Sequence, residues 1–530
     1  MRVRDGLAEA GLAPGDLAVG GHVRDLLGLL VIIFDNDRGA LYAGGDRNDN
    51  HYRKGLPVPL DSAPQIGDPD RRTPVLLLTS PPGRAESVVR RSAATLGRAE
   101  RTVVVRHDLS ELREGVVRRT LTIGGRESRT VLELAHCCVS CTLRADLLPL
   151  LCTLAARDSV DRIVLALDPA FEAEAICGAI ADTVVTGVHG RVDGPAARNV
   201  RVEAVLACLD GEHWLADATG DETVAERGSA AAGAGVPTAD DDDRTVAQLA
   251  VGAVEFADAV LVADPPADPL ERARLTAALD RLAPTAPVVW LDGQAVADAV
   301  FDDGLRETGV AIEVTDAVAF VDDLLARIPA AARRGRIFDA HAPLLRGEPP
   351  LTVEHGVTIV EFSARRPFHP ARLHDALDVL LDGVICARGR AWLATQADEV
   401  VWLESAGGGL RVGGAGRWLA AMSAEDYAAA DPTRRAMAAI GWDERFGDRH
   451  TELVVLTCEA DPDEIRTALH WALVDDDELR MVERAPERVA RWEDPFGDWH
   501  ADPCADVDEQ IDDAYRGNIA GPKGRTGEVQ

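Results

Sequence analysis

The sequence predicts an α/β domain built on a parallel sheet, followed by a smaller α+β domain. In the first part of the chain, apolar strand-like segments alternate with helical ones, which indicates a parallel sheet with helices on both faces. After a Pro- and Arg-containing linker at 333–350, short strands are mixed with two helical segments, as in an α+β layer. A length of 530 residues also favours two or three domains over one core.

Residues 1–72 precede the alternating pattern, and we predict an N-terminal extension of unknown role. Its longest apolar run, Leu26 to Phe34, has nine residues, whereas a membrane-spanning helix needs about 20. The N-terminus also lacks the basic region and long apolar core of a secretory signal. Nine irregularly spaced cysteines suit a reducing compartment. We therefore expect a cytoplasmic protein that does not enter a membrane.

The charge of the chain restricts its partners. The 56 Lys and Arg residues against 89 Asp and Glu residues give a net charge of −33. Such a surface repels phosphates and anionic lipids at long range. We expect no direct contact with nucleic acid, and a protein partner would be basic.

The first domain is predicted at 73–332. Its helical segment Arg84 to Leu96 follows the first strand, and an Ala/Gly/Asp-rich segment at about 217–244 is expected to be a disordered insertion. The predicted strands are Val75 to Thr79, Val103 to Arg106, Val131 to Leu134, Ile163 to Leu167, Val202 to Leu206, Ala259 to Val262 and Val288 to Leu291. Ligands of such sheets bind at the carboxyl ends of the strands.

The loop after the first strand, Thr79 to Ser87, lies where a phosphate-binding loop is expected. Such a loop needs glycines for close backbone approach, a Lys for charge and Ser or Thr for magnesium. Here Gly83 is the single glycine, two prolines remove N–H donors, and there is no Lys. Arg84 offers a charge and Ser87 a hydroxyl, but Glu86 would repel phosphate. Gly83, Arg84 and Ser87 are thus the candidate nucleotide-binding residues of an altered loop.

A cysteine-rich turn follows the strand that ends at Leu134. Cys137, Cys138 and Cys141 lie within five positions, and thiolates are soft ligands for zinc or copper(I). Free cysteines are often simply buried, and a redox pair is a further alternative. A zinc ribbon is disfavoured because it needs a second Cys pair. We take the three cysteines as candidate metal ligands, with His136 as a possible additional donor.

The order of residues around this turn resembles the signature of the CobW-type GTPases, which are associated with zinc and cobalt handling. The matching residues are Leu132-Glu133-Leu134, the cysteines, Thr142-Leu143-Arg144 and Asp146. The usual family pattern is Cys-x-Cys-Cys after a glycine. Here Cys138 and Cys141 fall on the first and third cysteines, Ser140 on the second, and Cys137 on the glycine. The Cys-Val-Ser-Cys-Thr form resembles an actinobacterial branch linked to recruitment of a ribosome hibernation factor.

The resemblance implies a P-loop-NTPase-like first domain, and it assigns roles to further residues. Asp168 lies where the family carries a carboxylate that holds magnesium, and His107 to Glu111 lie where it has its first switch. The guanine-reading Asn-Lys-x-Asp is replaced by Ala263-Asp264-Pro265-Pro266, with Asp268 as a weak substitute. The resemblance therefore implies a GTPase fold in which we expect weak or absent binding of GTP and magnesium, and it leaves open whether the chain is an enzyme.

The second domain is predicted at 351–500 and is followed by a polar tail at 501–530. Its motifs resemble the CobW C-terminal domain: Pro367-Phe368-His369-Pro370, Arg388-Gly389, Trp392-Leu393 and Gly447-Asp448-Arg449. Four further side chains could donate to a metal, although structural roles are expected for each; they are His369, His374, Cys386 and His450. The resemblance spans about 73–499.

These observations predict a zinc-homeostasis protein with altered nucleotide motifs. The resemblance implies a zinc-responsive adaptor whose partner is a basic protein, such as a ribosome hibernation factor or a ribosomal protein. One alternative is a GTP-dependent zinc metallochaperone. Another is a redox protein that uses Cys138 and Cys141.

Overall fold

The computed structural model describes residues 71–134, 142–232, 243–291, 317–329, 341–345 and 347–497. The predicted N-terminal extension up to residue 70, the three cysteines of the turn and the polar tail lie outside these ranges. In the described ranges, no helix is long and apolar enough to cross a membrane.

The first domain contains an eight-stranded sheet and a small two-stranded sheet. Its strands are β1 (Thr73–Thr79), β2 (Thr102–Asp108), β3 (Val116–Ile123), β4 (Arg126–Glu133), β5 (Arg162–Ala166), β6 (Val184–Val185), β7 (Gly194–Pro195), β8 (Val200–Asp210), β9 (Ala259–Ala263) and β10 (Val288–Leu291). The order in the large sheet is β10-β9-β8-β1-β5-β2-β3-β4. All predicted strands are present, with β1 near the centre.

The prediction of a parallel sheet is wrong at one edge, because the sheet is mixed there. Strands β10, β9, β8, β1, β5 and β2 are parallel, but β3 is antiparallel to β2 and β4 is antiparallel to β3. The predicted strand Val131 to Leu134 is thus part of an edge strand, where Val131 is 60% exposed. Because β4 is reversed twice relative to β2, its carboxyl end still lies at the same edge as that of β1.

Helices cover both faces of the large sheet, as predicted. They are α1 (Ala85–Leu96), α2 (Leu148–Leu154), α3 (Ala173–Asp182), α4 (Trp214–Thr219), α5 (Val224–Ala232), α6 (Val246–Glu255), α7 (Pro269–Leu282) and α8 (Ala317–Arg327). Successive β1 side chains point to opposite faces, so Val75 and Leu77 pack with α2 and α3, whereas Leu76 and Leu78 pack with α1 and α8. The predicted fold class is confirmed.

Part of the segment predicted to be a disordered insertion is helical. Helices α4 and α5 lie within or beside the first half of 217–244, and Arg227 on α5 forms ion pairs with Asp217 at 2.7 Å and Glu222 at 2.6 Å. Thr223 also pairs with Thr245 across the segment. These contacts stabilise a sequence whose low hydrophobicity favoured disorder. Residues 233–242, which include most of the acidic run, lie outside the described ranges.

The second domain is an antiparallel sheet with the order β11-β15-β12-β13-β14. Its strands are β11 (Val357–Ala364), β12 (Val384–Ala391), β13 (Glu399–Ala406), β14 (Gly409–Arg417) and β15 (Thr451–Cys458), and its helices are α9 (Pro370–Ala376), α10 (Ala424–Ala429), α11 (Pro432–Ile440), α12 (Pro462–Ala472), α13 (Asp476–Arg484) and α14 (Pro486–Val489). As predicted, Leu373 and Leu377 pack with Ile465 and Leu469 against one face of the sheet.

The other face of the second sheet packs on the first domain. Ile359, Ile385 and Leu456 share one hydrophobic cluster with Val251 of α6 and Leu279 of α7. At its margin, the buried Arg388 of β12 is paired with Glu255, the last residue of α6. The two domains therefore meet through a continuous core.

Candidate functional site

The loop between β1 and α1 has the glycine turn of a phosphate-binding loop but satisfies its own backbone. Gly83 adopts φ +106°, a left-handed conformation that favours glycine. Its N–H, which in a phosphate loop faces an anion, donates to the Glu86 carboxylate at 3.0 Å. Glu86 lies in the first turn of α1, where the helix dipole favours a negative charge. The carboxylate thus occupies a donor that a bound phosphate would need.

The two arginines nearest this loop, Arg84 and Arg227, already have partners within the protein. Arg84 Nη1 lies 2.9 Å from His213 Nε2, and His213 Nδ1 lies 3.1 Å from the Asp210 carboxylate at the end of β8. Because an arginine only donates, Nε2 accepts and Nδ1 donates to Asp210. The side chain of Arg227 packs beside Gly83, where an added Cβ would lie 3.6 Å from its Cδ. Arg227 itself is held by two carboxylates.

Asp168 follows β5, next to β1, and is the predicted magnesium carboxylate. It accepts hydrogen bonds from the backbone N–H groups of Leu109 at 3.1 Å and Ala170 at 3.0 Å. Burial raises the pKa of Asp168, and the nearby charges of Glu86 and Asp108 act in the same direction. Gly83, Arg84, Ser87 and Asp168 all lie at the carboxyl edge of the sheet, yet the carboxylate is already engaged with backbone donors.

The residues that replace the guanine-reading motif have structural partners. Asp264, at φ +47°, lies 3.6 Å from Arg91 of α1. The predicted substitute, Asp268, is the N-cap of α7 and accepts from Leu270 N–H at 2.9 Å. An N-cap carboxylate is used by its own helix. Neither side chain is arranged as a reader of a base.

The cysteine turn falls between two described anchors. Leu134 N–H donates to Gly115 O at 2.7 Å at the end of β4, and Thr142 is fully buried at the start of the next segment, a π-helical turn at Leu143–Leu147. Cys137, Cys138 and Cys141 lie between these anchors, outside the described residues, as does His136. Leu134, the last described residue before the cysteines, lies at the carboxyl edge of the sheet, as does the loop between β1 and α1.

A buried polar cluster beside this turn was not foreseen from the sequence. His107 at the end of β2 contacts Asp146 of the π-helical turn, and Asp146 also accepts from Arg119 of β3. The three residues are far apart in sequence. The sequence analysis had placed His107 in the segment that resembles the first switch and Asp146 in the motif after the cysteines, but nothing in it indicated that the two side chains meet, or that Arg119 joins them.

The other predicted donors do not converge. Cys386 is buried in β12, His369 stacks on Trp492 with ring centroids 4.7 Å apart, and His450 Nδ1 donates to Asp448 O at 2.7 Å. His374 is half-buried near Asp375. Within the described ranges, no three His, Cys, Asp or Glu side chains are grouped to hold a metal ion. Cys386, His369 and His450 thus have structural surroundings or contacts, as we expected.

The fold and this site define a domain built on a mixed eight-stranded sheet, whose first loop satisfies its own backbone donor, joined to an α+β domain. Residues 357–473 match the model of the cobalamin synthesis protein CobW C-terminal domain. A protein of Mycobacterium tuberculosis named as a zinc chaperone is 45% identical over 440 residues, which cover 82% of this chain and 96% of that relative. The chain belongs to the CobW family.

More distant relatives are also similar. A zinc-regulated GTPase metalloprotein activator of Dictyostelium discoideum is 23% identical over 336 residues, covering 62% of this chain and 63% of that protein. The Zn(II)-bound YjiA GTPase from E. coli is 13% identical, with 76% of this chain and 99% of that chain covered and a TM-score of 0.29. The last likeness is weak.

Proposed function

We propose that this CobW protein handles zinc without using GTP, as a zinc-responsive adaptor. The observation that carries the proposal is the contact between Gly83 N–H and the Glu86 carboxylate. In a working phosphate loop, backbone N–H groups and a Lys neutralise the nucleotide phosphates. Here a carboxylate stands at the loop, and Arg84 is turned to His213. The residues present do not fit GTP with magnesium.

The zinc part of the proposal is supported by the cysteine turn and by the relatives. A relative 45% identical to this chain is named as a zinc chaperone. Cys138 and Cys141 would bind zinc as thiolates, and Cys137 or His136 would supply a third donor. A carboxylate or water would complete four-coordination.

The partner that we propose is a basic protein, such as a ribosome hibernation factor or a ribosomal protein. The support is the resemblance of the turn to that branch and a net charge of −33, which favours association with basic surfaces. Recruitment to ribosomes would then pass through the partner rather than through direct contact with RNA. Zinc occupancy of the turn would control whether the partner binds.

Calorimetric titration of the protein with GTP and magnesium, with and without one equivalent of zinc, tests the proposal. We expect no heat of GTP binding in either case, and one zinc bound per chain. Alanine at both Cys138 and Cys141 should abolish zinc binding. Unchanged zinc stoichiometry in that variant would refute the assignment of the ligands.

A GTP-dependent zinc metallochaperone is the second candidate. It is supported by the position of Asp168, a carboxylate that follows β5 at the carboxyl edge of the sheet, next to β1. Micromolar GTP binding that is lost in Asp168→Asn would support this candidate and overturn the first one. Partner capture should then depend on GTP as well as on zinc.

A further inference from the structure

Helix α11 of the second domain is a surface helix without a covering layer. It spans Pro432–Ile440, and none of its nine residues is buried among the residues that the structure describes. Isolated helices shorter than about 12 to 15 residues are marginal in water, because most helical stability comes from the packing of an apolar face. The N-cap Asp431 accepts from Arg434 N–H at 2.9 Å, which is a local contribution only. The helix therefore gains little stability from the contacts of its own chain.

Three large apolar side chains are exposed on this helix and just after it, and we call them the apolar ridge. Met437 is 48%, Ile440 84% and Trp442 46% exposed. Met437 and Ile440 are three residues apart, so they are neighbours on the helix surface. Trp442 follows at the helix end, where a β-bridge between Asp443 and Gly447 holds the chain. Exposed apolar side chains that adjoin one another often mark interaction surfaces.

A cavity of about 380 Å³ lies at the other end of the helix, between α10 and α11. Apolar and polar side chains line it, among them Met422, Asp426, Ala429, Ala430, Asp431 and Arg434. Cavities above about 300 Å³ take drug-sized molecules, so this one has room for an aromatic side chain. Asp426 Oδ2 accepts from Ser423 Oγ, and Asp431 Oδ1 accepts from Arg434 N–H. Among the described residues, no hydrogen bond reaches the second oxygen of either carboxylate.

The apolar ridge and the cavity carry complementary groups. Within the described ranges, the indole N–H of Trp442 has no hydrogen-bond partner, whereas the cavity offers two carboxylate acceptors. The exposed Arg365 donates to Gly441 O and so places a cation beside Trp442. Asp443, the acid next to Trp442, accepts two backbone N–H groups of its own turn. The ridge thus ends in an indole donor and a cation, and the cavity in acceptors of negative charge.

The two features cannot meet within one chain. They lie at opposite ends of a nine-residue helix, which is about 13 Å long at 1.5 Å per residue. A second copy that lies antiparallel to the first brings the end of each helix opposite the start of the other. Such a pairing has two-fold symmetry, in which every contact occurs twice. Complementary groups at the two ends of one helix are therefore suited to a copy of the same chain.

We propose that α11 is a self-association surface, on which a second copy of the chain lies antiparallel and inserts its Trp442 into the cavity. A two-fold axis near Met437 places Trp442 of each copy opposite the start of α11 in the other. The indole N–H then donates to a cavity carboxylate, and Arg365 of each copy lies beside Asp426 of the other. Tryptophan and arginine anchors that fill pockets carry much of the binding energy of protein interfaces. The association is separate from the proposed zinc function and does not depend on it.

Sedimentation velocity of the full chain, from micromolar to hundred-micromolar concentration and with a chelator present, tests the proposal. The chelator excludes metal bridges between copies, and we expect a reversible equilibrium between monomer and dimer. Trp442→Ala and Ile440→Lys should each weaken the dimer by roughly tenfold or more. A lysine at the end of a helix interacts favourably with the helix dipole, so Ile440→Lys should keep α11 intact. Trp471→Ala is the control, because Trp471 is 55% exposed on α12, and it should stay within about twofold of the parent protein.

A charge exchange tests the antiparallel arrangement. Arg365→Glu alone, or Asp426→Arg alone, puts two pairs of like charges into the dimer, so each variant should associate more weakly than the parent protein. In an equal mixture of the two variants, the mixed dimer joins opposite charges at both contacts. We therefore expect the mixture to regain the association that each variant alone has lost. Circular dichroism of each variant checks that its fold is unchanged.

Three results would overturn the proposal. The first is a parent protein that stays monomeric at every concentration, because something other than a second copy would then cover α11. The second is a dimer that Trp442→Ala and Ile440→Lys leave unchanged, since the copies would then meet through another surface. The third is a mixture of Arg365→Glu and Asp426→Arg that associates no more tightly than either variant alone, which would refute the antiparallel contact between the two ends of the helix.

Discussion

The ion pair between Glu255 and Arg388 gives a quantitative prediction about how the domains are joined. Their side chains are 16% and 9% exposed, and Glu255 ends α6, where the helix dipole alone disfavours a carboxylate. Glu255→Ala leaves the Arg388 guanidinium buried without this partner. Removing one member of a buried pair costs about 3–5 kcal/mol. Because Glu404 also acts on Arg388 electrostatically, we expect a loss near the lower end, about 3 kcal/mol.

Urea unfolding followed by circular dichroism measures this loss as a change in the free energy of unfolding. Glu127→Ala is the control, because Glu127 pairs with Arg129 on an exposed strand, and should cost no more than about 1 kcal/mol. Replacing both Glu255 and Arg388 by Met should recover much of the loss, since no buried charge remains. A cost for Glu255→Ala no larger than that for Glu127→Ala would refute the reasoning.

Three further predictions concern the pH dependence, the thiols and the second sheet. The hydrogen bond from His450 and the charge of Arg390 lower the pKa of Glu452 to about 2. Its stabilisation is therefore present above the usual glutamate pKa and is lost as pH falls toward 2, so Glu452→Gln should destabilise at pH 7 but match the parent protein near pH 2 in thermal melts. Burial raises the pKa of three thiols to about 12, and these should resist alkylation at pH 8 in the native protein but react in urea, as mass spectrometry would show; they are Cys177, Cys208 and Cys386. A Cβ at Gly389 would lie 2.0 Å from Glu452 O, whereas one at Gly414 would meet nothing within 4 Å. Gly389→Ala should cost about 3 kcal/mol or more and Gly414→Ala less than about 1 kcal/mol in urea unfolding, and equal costs would contradict the close approach of β12 and β15.

The strands and helices of the core could be predicted from the sequence because they depend on the local periodicity of apolar residues. Strand β9 is apolar throughout, and β1 and β5 are apolar over Val75–Leu78 and Ile163–Ala166, as burial on both faces requires. Strand β3 was missed because an edge hairpin has one covered face and carries Arg118 and Arg119. The prediction of disorder was wrong for the described first half of the insertion for a similar reason, since Arg227 is stabilised there by ion pairs rather than by apolar burial.

In the candidate site too, some features are visible in the sequence, whereas others depend on contacts between residues that are distant in the chain. The sequence shows directly that the loop at 79–87 has one glycine and no Lys, and that three cysteines lie close together. The hydrogen bond from Gly83 N–H to the Glu86 carboxylate joins residues three positions apart. The sequence indicated only that a negative charge lies in this loop. The pairing of Arg84 with His213 joins residues 129 positions apart, and no local pattern predicts it.

The sequence by itself determined the α/β and α+β fold classes, the residues of the loop at 79–87 and the spacing of the cysteines along the chain, because these depend on residue type and short-range spacing. Only the tertiary structure decided that His107, Asp146 and Arg119 meet, and that Glu255 and Arg388 join the domains. The physical reason is that hydrogen bonds and ion pairs between distant residues are selected by the packing of whole elements. The residue type of an Asp or Glu does not specify which strand or helix will pack against it.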